Sequence, residues 1–374
     1  MELSSEDALR LNVLLANNPL AIRIHESSMT LYGLLQGSEA TVKLNPIGSD
    51  ERYLKQIRAF LSERALGSPG GYPFYLQRWT RMGQRRDESL EKLLMLGDPT
   101  AVFAVVCAGG LTDELARRAW WASEEAENAR RMLQTEEVVK GLTGKLLARY
   151  LVDYLPFETE TETMIESVRM ALQPGLLDQA GKLKLWKKSA RKTPYLVGFI
   201  AAIPDDLPEH IPPRADFGRL QGLLTPLAET GNGFAALLLA LLAGSGQTFL
   251  DTTLRILAKP PTQDVVNITF DVVREYCSVI RPEGDPDLSS EQLLVEAEAF
   301  TRVSPDARAV LAVAPELEAE LLALRFLSGL GYGLLRPVLK GSSAMGSLMR
   351  RKLEPVLNPL MGQLNLLRGR AEAE

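Results

Sequence analysis

The stretch LAIRIHESSMTLYGLLQGSEATVKLN, residues 20–45, is where this sequence takes on the pattern of β-strands. Its three runs, AIRIH, MTLYGLL and EATVKL, alternate in polarity or are rich in strand-forming residues. Polar and glycine-containing breaks, Glu26-Ser27-Ser28 and Gln36-Gly37-Ser38, separate the runs. The stretch therefore predicts a small three-stranded meander.

A helix is predicted on each side of this meander. Ser4 and Asp7 have the spacing of a capping box, and Asn17-Asn18-Pro19 ends the helix that they begin. Ser49 is placed to cap a second helix, whose apolar stripe consists of Leu54, Ile57 and Leu61. The first 66 residues therefore predict an α/β element.

The rest of the chain has repeated helix-start signals and no convincing strand. Four of these signals pair a capping residue with proline at the first helical position, where the missing N–H costs nothing; they are Asp98-Pro99, Thr193-Pro194, Thr225-Pro226 and Ser304-Pro305. Thr112, Ser123 and Thr135 offer further starts. The predicted fold class is mostly α: an irregular helical-repeat (HEAT-like) region or a helical bundle, with the small N-terminal α/β element.

Two segments rich in glycine or proline suggest the domain boundaries. LGSPGGYP (66–73) cannot lie inside a helix or a strand, and 203–213 contains four prolines. We predict an N-terminal element over 1–66, a helical domain over 72–203 and a second helical region over 214–374.

Composition excludes several kinds of site and protein. The chain has 374 residues, 42 Lys and Arg against 47 Asp and Glu, a net charge of −5, two cysteines and two histidines. Two cysteines cannot build a disulfide framework or a cysteine-rich zinc or iron–sulfur site, and we expect no cofactor. The longest apolar run, 234–243, is half the ~20 residues that a bilayer requires. It predicts a buried helix, and the N-terminus lacks a secretory signal pattern, so we expect a cytoplasmic protein without membrane insertion.

No catalytic motif is evident, which predicts a non-enzymatic protein. None of the glycine-rich segments has the Gly-Lys-Ser/Thr ending of a phosphate loop, and His25 and His210 lie in unlike contexts. Cys107, in an apolar helix that ends at Gly109-Gly110, and Cys277 are expected to be buried structural residues. The alternative is that one of them is a reactive thiol.

Two basic clusters interleaved with aromatic residues are the sharper candidates for a binding site. One consists of Lys182, Lys184, Trp186, Lys187, Lys188, Arg191 and Lys192, and contains no acid. The other consists of Arg78, Trp79, Arg81, Arg85 and Arg86. Such clusters suit phosphate backbones, with the aromatic ring available to stack a base, or an acidic protein. The alternative is a solvated charged face whose tryptophan packs into the core.

Several strings together resemble the DsrS proteins, which are encoded with the dissimilatory sulfite reductase (dsr) genes of sulfur-oxidising bacteria. They are MELSSEDALRLNVLLAN, LGSPGGYPFYLQRWTRMGQ, GLTDELARRAWW, ENARRML, ARYLVDYLPFE and LQPGLLDQA, all within the first 200 residues. The resemblance implies a cytoplasmic accessory protein that regulates expression of the sulfur-oxidation genes. It supplies no catalytic residues.

Three functions remain open from the sequence. The first is regulation of the dsr genes through binding of RNA or an acidic protein by the basic clusters. The second is a helical adaptor that scaffolds sulfur-oxidation enzymes, and the third is a sulfur carrier that uses Cys107 or Cys277.

Overall fold

The computed structural model describes residues 3–67, 87–339 and 346–369, and these form two compact units. The first unit comprises Met1–Tyr154 with Pro174–Leu177, and the second comprises Leu155–Gln173 with Asp178–Glu374. This division differs from the domains expected from the sequence. The break between the units falls after Tyr154, and the proline-rich 203–213 segment lies inside the second unit.

The first unit begins with the predicted α/β element, which the structure confirms. Helix α1 (Ser5–Ala16) precedes strands β1 (Ala21–His25), β2 (Thr30–Leu35) and β3 (Ser38–Lys43), and helix α2 (Asp50–Leu66) follows them. The strands form an antiparallel sheet in the order β1-β2-β3. The two helices and the sheet enclose one apolar core of Leu11, Leu14, Ile22, Leu31, Leu44, Tyr53, Ile57 and Leu61.

The first helix is capped by only half of the expected capping box. Ser4 Oγ accepts a hydrogen bond from the Asp7 backbone N–H at 3.1 Å, as the pattern predicts. The Asp7 side chain is fully buried, and its Oδ2 instead accepts a 2.6 Å bond from the Tyr53 hydroxyl. Burial, followed by this bond to Asp7, raises the pKa of Tyr53. The carboxylate therefore ties α1 to α2.

Six further helices complete the described part of the first unit. They are α3 (Asp87–Leu93), α4 (Pro99–Val106), α5 (Asp113–Ala122), α6 (Ala126–Met132), α7 (Glu136–Lys140) and α8 (Leu142–Tyr154). Asp98 and Thr112 cap α4 and α5 with their side chains, as predicted. Ser123 does not start a helix: it is the residue after α5, and α6 begins at Ala126.

The described residues of the second unit form helices joined by loops, with no strand. Its helices are α9 (Thr161–Ala171), α10 (Gln179–Ser189), α11 (Thr193–Ala202), α12 (Phe217–Glu229), α13 (Gly233–Leu242), α14 (Gly244–Ala258), α15 (Gln263–Tyr276), α16 (Ser290–Val303), α17 (Pro305–Val313), α18 (Glu318–Leu327), α19 (Tyr332–Leu339) and α20 (Gly346–Leu367). Ser304 caps α17 as predicted, by accepting from the Ala307 N–H. The start predicted at Thr225-Pro226 is wrong, because α12 continues through Pro226.

The apolar run at 234–243 forms α13, most of whose side chains are buried. In the described part of the chain no single helix could span a membrane. Only α13 and α14 together are long and apolar enough, and their axes are bent by 78° at the junction.

A buried ion cluster joins α16, α18 and the loop before α16. The guanidinium groups of Arg281 and Arg325, whose side chains are each 2% exposed, both bind Glu296; Arg281 Nη2 lies 2.6 Å from Glu296 Oε2. Arg325 also lies 2.6 Å from Glu283 Oε1 and donates a 2.7 Å bond to the Ile280 carbonyl oxygen. Because the charges and donors are matched, the cluster satisfies groups that would otherwise be buried without partners.

We expect acid to weaken this cluster measurably. Burial alone would raise the pKa of Glu296, but the hydrogen bonds and charges of Arg325 and Arg281 outweigh it, so the pKa lies below its ordinary value. A carboxyl with a lowered folded-state pKa stabilises the fold at pH values above its unfolded pKa of about 4.3, and this contribution is lost as the pH falls through the folded-state pKa. Guanidinium unfolding between neutral pH and about pH 3 should show the loss. In Glu296→Gln the decline should be shallower, and a profile parallel to that of the unsubstituted protein would contradict this account.

Candidate functional site

Helix α10 and the residues just after it carry the basic cluster at 182–192. Asp178 caps the helix by accepting a 2.7 Å bond from the Gly181 N–H, and Leu185 anchors it in the core. Lys182 is engaged within the protein, since its Nζ lies 3.0 Å from Asp206 Oδ2. This leaves the other cations of the cluster on the outer side.

Five of these cations form what we call the cationic ridge: Lys184, Lys187, Lys188, Arg191 and Lys192. All five are exposed. Within the described residues, no carboxylate lies within 4.0 Å of any of their side-chain nitrogens. The dipole of α10 accounts for part of this charge, because Lys187 and Lys188 lie in its last turn, where cations are favoured. The helix dipole does not account for Lys184, which lies a turn earlier.

Trp186 does not lie on this ridge. Its ring is half-buried and packs edge-on against the fully buried Phe199, with ring centroids 4.9 Å apart. The Arg255 guanidinium lies 5.9 Å from the Trp186 ring centroid. These contacts hold the indole against the protein, so the ring offers a nucleic-acid base less stacking surface than an exposed aromatic residue does.

The second basic cluster of the sequence, and the further basic pair Arg117 and Arg118, give no second ridge in the described chain. Arg78, Trp79, Arg81, Arg85 and Arg86 lie outside the described residues. Arg117 and Arg118 both bind Glu114, at 2.7 and 2.9 Å. The hydrogen bond from Arg117 is the main cause that lowers the pKa of Glu114 to about 2. Arg118 also lies 3.5 Å from Glu91, so the two arginines face two carboxylates.

The two cysteines differ in their surroundings. Cys277 is buried as expected, and burial raises the pKa of its thiol to about 12. Cys107 is not buried: it is the residue after the end of α4 and is exposed. Partial burial of the sulfur still raises the pKa of Cys107, and the Arg131 charge opposes that shift only in part. Both shifts disfavour the thiolate, which is the nucleophilic form of cysteine.

This difference predicts a clear alkylation pattern. In the folded protein iodoacetamide should modify Cys107 slowly and leave Cys277 intact, whereas both should react after denaturation. Cys107→Ser should then abolish labelling of the folded protein, as followed by intact-mass spectrometry. Rapid labelling of Cys277 without denaturation would contradict this prediction and would favour the sulfur-carrier function.

A groove that sequence reasoning missed lies within the second unit, with a volume of about 580 Å³. Helices α9 and α15 line it from two sides, and residues of α11, Ile200 and Ala201, line it between them. Within the described residues no group of three or more His, Cys, Asp or Glu side chains is arranged to hold a metal ion. Unlike the ridge, the groove has apolar lining residues, such as Ile268 and Val272.

Comparisons of the chain with protein-family models, with curated proteins and with solved structures find no match. The resemblance to the DsrS proteins therefore rests on the strings in the first 200 residues alone.

Proposed function

We propose that this chain is a non-enzymatic cytoplasmic accessory protein of bacterial sulfur oxidation, which regulates expression of the dsr genes by binding a partner through its cationic ridge. The strings shared with the DsrS proteins support the pathway. The observation that carries the binding site is the set of five exposed cations on and just after α10, none of which has a carboxylate partner among the described residues.

The partner that the ridge suits best is an acidic protein segment. Trp186 is half-buried and packs against Phe199, so it offers less surface for base stacking, the usual contribution of an aromatic residue to single-strand binding. Lys184 to Lys188, the part of the ridge that lies in the helix, span about 6 Å of the helix axis, so this part contacts few phosphates of a strand. The chain also carries a net charge of −5, which opposes a long polyanion more than it opposes a short acidic peptide.

The ridge should bind by many weak and additive charge contacts. An exposed ion pair contributes about 0.2–1 kcal/mol, so the whole ridge supports modest affinity and rapid, electrostatically steered association. The contacts are solvent-exposed, and the Debye length falls to about 10 Å at 0.1 M salt. Binding should therefore weaken as salt rises.

Charge reversal on the ridge is expected to weaken this binding strongly. A fluorescein-labelled glutamate-rich peptide, titrated by anisotropy at about 50 mM salt, should bind the unsubstituted protein and lose at least about tenfold in affinity in Lys187→Glu/Lys188→Glu. Lys259→Glu/Arg308→Glu is the matched control, because both of its sites are exposed cations elsewhere in the second unit. Equal losses in the two double variants would show that net charge, not the ridge, binds the peptide.

A mixed-sequence single-stranded RNA in the same titration separates the two partner classes. Weak RNA binding beside clear peptide binding is expected. RNA binding that is tighter than peptide binding, and whose log affinity falls with log salt by about 0.7 per phosphate contacted, would move the assignment to RNA. In a sulfur-oxidising host, dsr transcript levels should respond to Lys187→Glu/Lys188→Glu as they respond to deletion of the gene.

A further inference from the structure

Three helices of the second unit form a trough with two matching walls. The α9 wall presents Glu162, Ile165, Glu166 and Arg169, and the α15 wall presents Ile268, Asp271, Val272 and Glu275. Each set has the spacing i, i+3, i+4, i+7, which places its members on one helix face. The groove is therefore the space between two continuous helix faces.

The bottom of the trough is apolar. Ile165 and Ile200 are buried there, and Ala201, Ile268 and Val272 are half-buried and face the open volume. An open groove of about 580 Å³ between two helices, above a third, has the shape that a fourth helix fills in a four-helix arrangement. Apolar side chains at helical spacing are what such a groove takes up.

The rims of the trough are predominantly acidic. Four carboxylates line it, Glu162, Glu166, Asp271 and Glu275, against the two guanidinium groups of Arg169 and Arg274. Arg274 is already engaged, with its Nη2 2.6 Å from Asp271 Oδ1 and its Nη1 donating a 2.9 Å bond to the Leu330 carbonyl oxygen. Glu162 and Glu275 are exposed, and no cation of the described chain pairs with either of them. An occupant thus meets unpaired negative charge on both walls.

We propose that this groove binds a cationic amphipathic α-helix of a partner protein. The apolar stripe of that helix packs on Ala201, Ile268 and Val272, and its lysine or arginine side chains reach Glu162 on one wall and Glu275 on the other. Arg169, near the end of α9, favours one acidic residue on the partner helix. The preference is opposite in charge to that of the cationic ridge, so the two sites take different partners.

The probe for this site is a synthetic amphipathic helix of about 15 residues, or about four turns, built from leucine and lysine. Fluorescence anisotropy with the full chain should show binding of this peptide. A scrambled peptide of the same composition, which keeps the charge but has no apolar face, should bind at least about tenfold more weakly. Equal affinity for the two peptides would overturn the proposal, because charge alone would then suffice.

Two variants of the groove test it by independent routes. Glu162→Lys/Glu275→Lys reverses the free charge of both walls, and Ala201→Trp fills the floor without changing charge. Each should weaken binding of the amphipathic peptide at least about tenfold. Glu229→Lys/Glu298→Lys is the matched control for net charge, since both of its residues are exposed and lie outside the groove. Unchanged binding in both groove variants would overturn the proposal.

Light scattering of the protein alone examines the other possible occupant, a second copy of this chain. We expect no self-association that depends on the groove. A dimer that is lost both in Glu162→Lys/Glu275→Lys and in Lys187→Glu/Lys188→Glu would overturn the proposal and assign the groove to a second copy.

Discussion

Replacement of Arg325 by methionine is expected to lower the free energy of unfolding by about 3–5 kcal/mol, the largest single-residue effect that we predict for this chain. The Arg325 side chain is 2% exposed and binds Glu283 and Glu296. Its guanidinium also lies 3.7 Å from the Phe300 ring centroid. Methionine fills much of the same volume, so the loss comes from the charge and donors removed, which leave the Ile280 carbonyl oxygen and two carboxylates with fewer partners.

The measurement is the guanidinium midpoint followed by far-UV circular dichroism. Arg302→Met is the matched control, because Arg302 has a side chain that is 79% exposed and lies 3.6 Å from Glu298; its substitution should change stability by no more than about 0.5 kcal/mol. Arg325→Met and Glu296→Gln should also be non-additive, since they share one network. Additive effects would show that the two residues do not act together, and a cost near that of Arg302→Met would refute the role of the cluster.

The parts of the fold that the sequence predicted are those set by local chemistry. The meander was predictable because alternation along 20–45 and its polar breaks are short-range signals. Strands β1 and β2 lie within their runs, and β3 begins at Ser38, one residue before its run. Ser304 caps α17 by reaching a backbone N–H three residues away. Thr225-Pro226 has the same local form, yet the chain stays helical there, with Leu220 and Leu224 buried on one face. Packing of this helix, and not the Thr-Pro dipeptide, therefore determines that the chain remains helical at Pro226.

The parts of the candidate sites that the sequence could not predict depend on distant contacts. The charge run at 182–192 was visible, but the direction of Trp186 is set by Phe199 on another helix. The groove has no local signal at all, because its lining comes from helices separated by up to about a hundred residues of chain. The apolar sequence around Cys107 suggested burial, and exposure followed from where α4 ends.

The substitution Gly198→Ala is expected to destabilise the second unit by about 1–3 kcal/mol, although alanine favours an isolated helix over glycine by about 1 kcal/mol. A Cβ at position 198 would lie 2.6 Å from Val168 Cβ and 3.0 Å from the Ile165 carbonyl oxygen. Since backbone and a β-branched side chain cannot move aside at low cost, α9 and α11 must separate. The same separation would displace Ile165 and Ile200, which line the groove, so binding of the amphipathic peptide should fall as well.

The chain contains a matched control for this prediction in Gly222, which is also inside a helix, α12. A Cβ there would meet no atom of the described chain within 4 Å, so Gly222→Ala should stabilise the protein by about 0.4–1 kcal/mol. Because the same substitution is expected to lower the free energy of unfolding at Gly198 and to raise it at Gly222, the difference would come from the contact between α9 and α11. Truncation of the opposing side chain tests this cause. In a Val168→Ala background, Gly198→Ala should lower the free energy of unfolding by less than it does alone, because the Val168 Cγ1 that the new Cβ would contact at 2.7 Å has been removed. An undiminished cost in that background would show that α9 and α11 do not meet at these two residues.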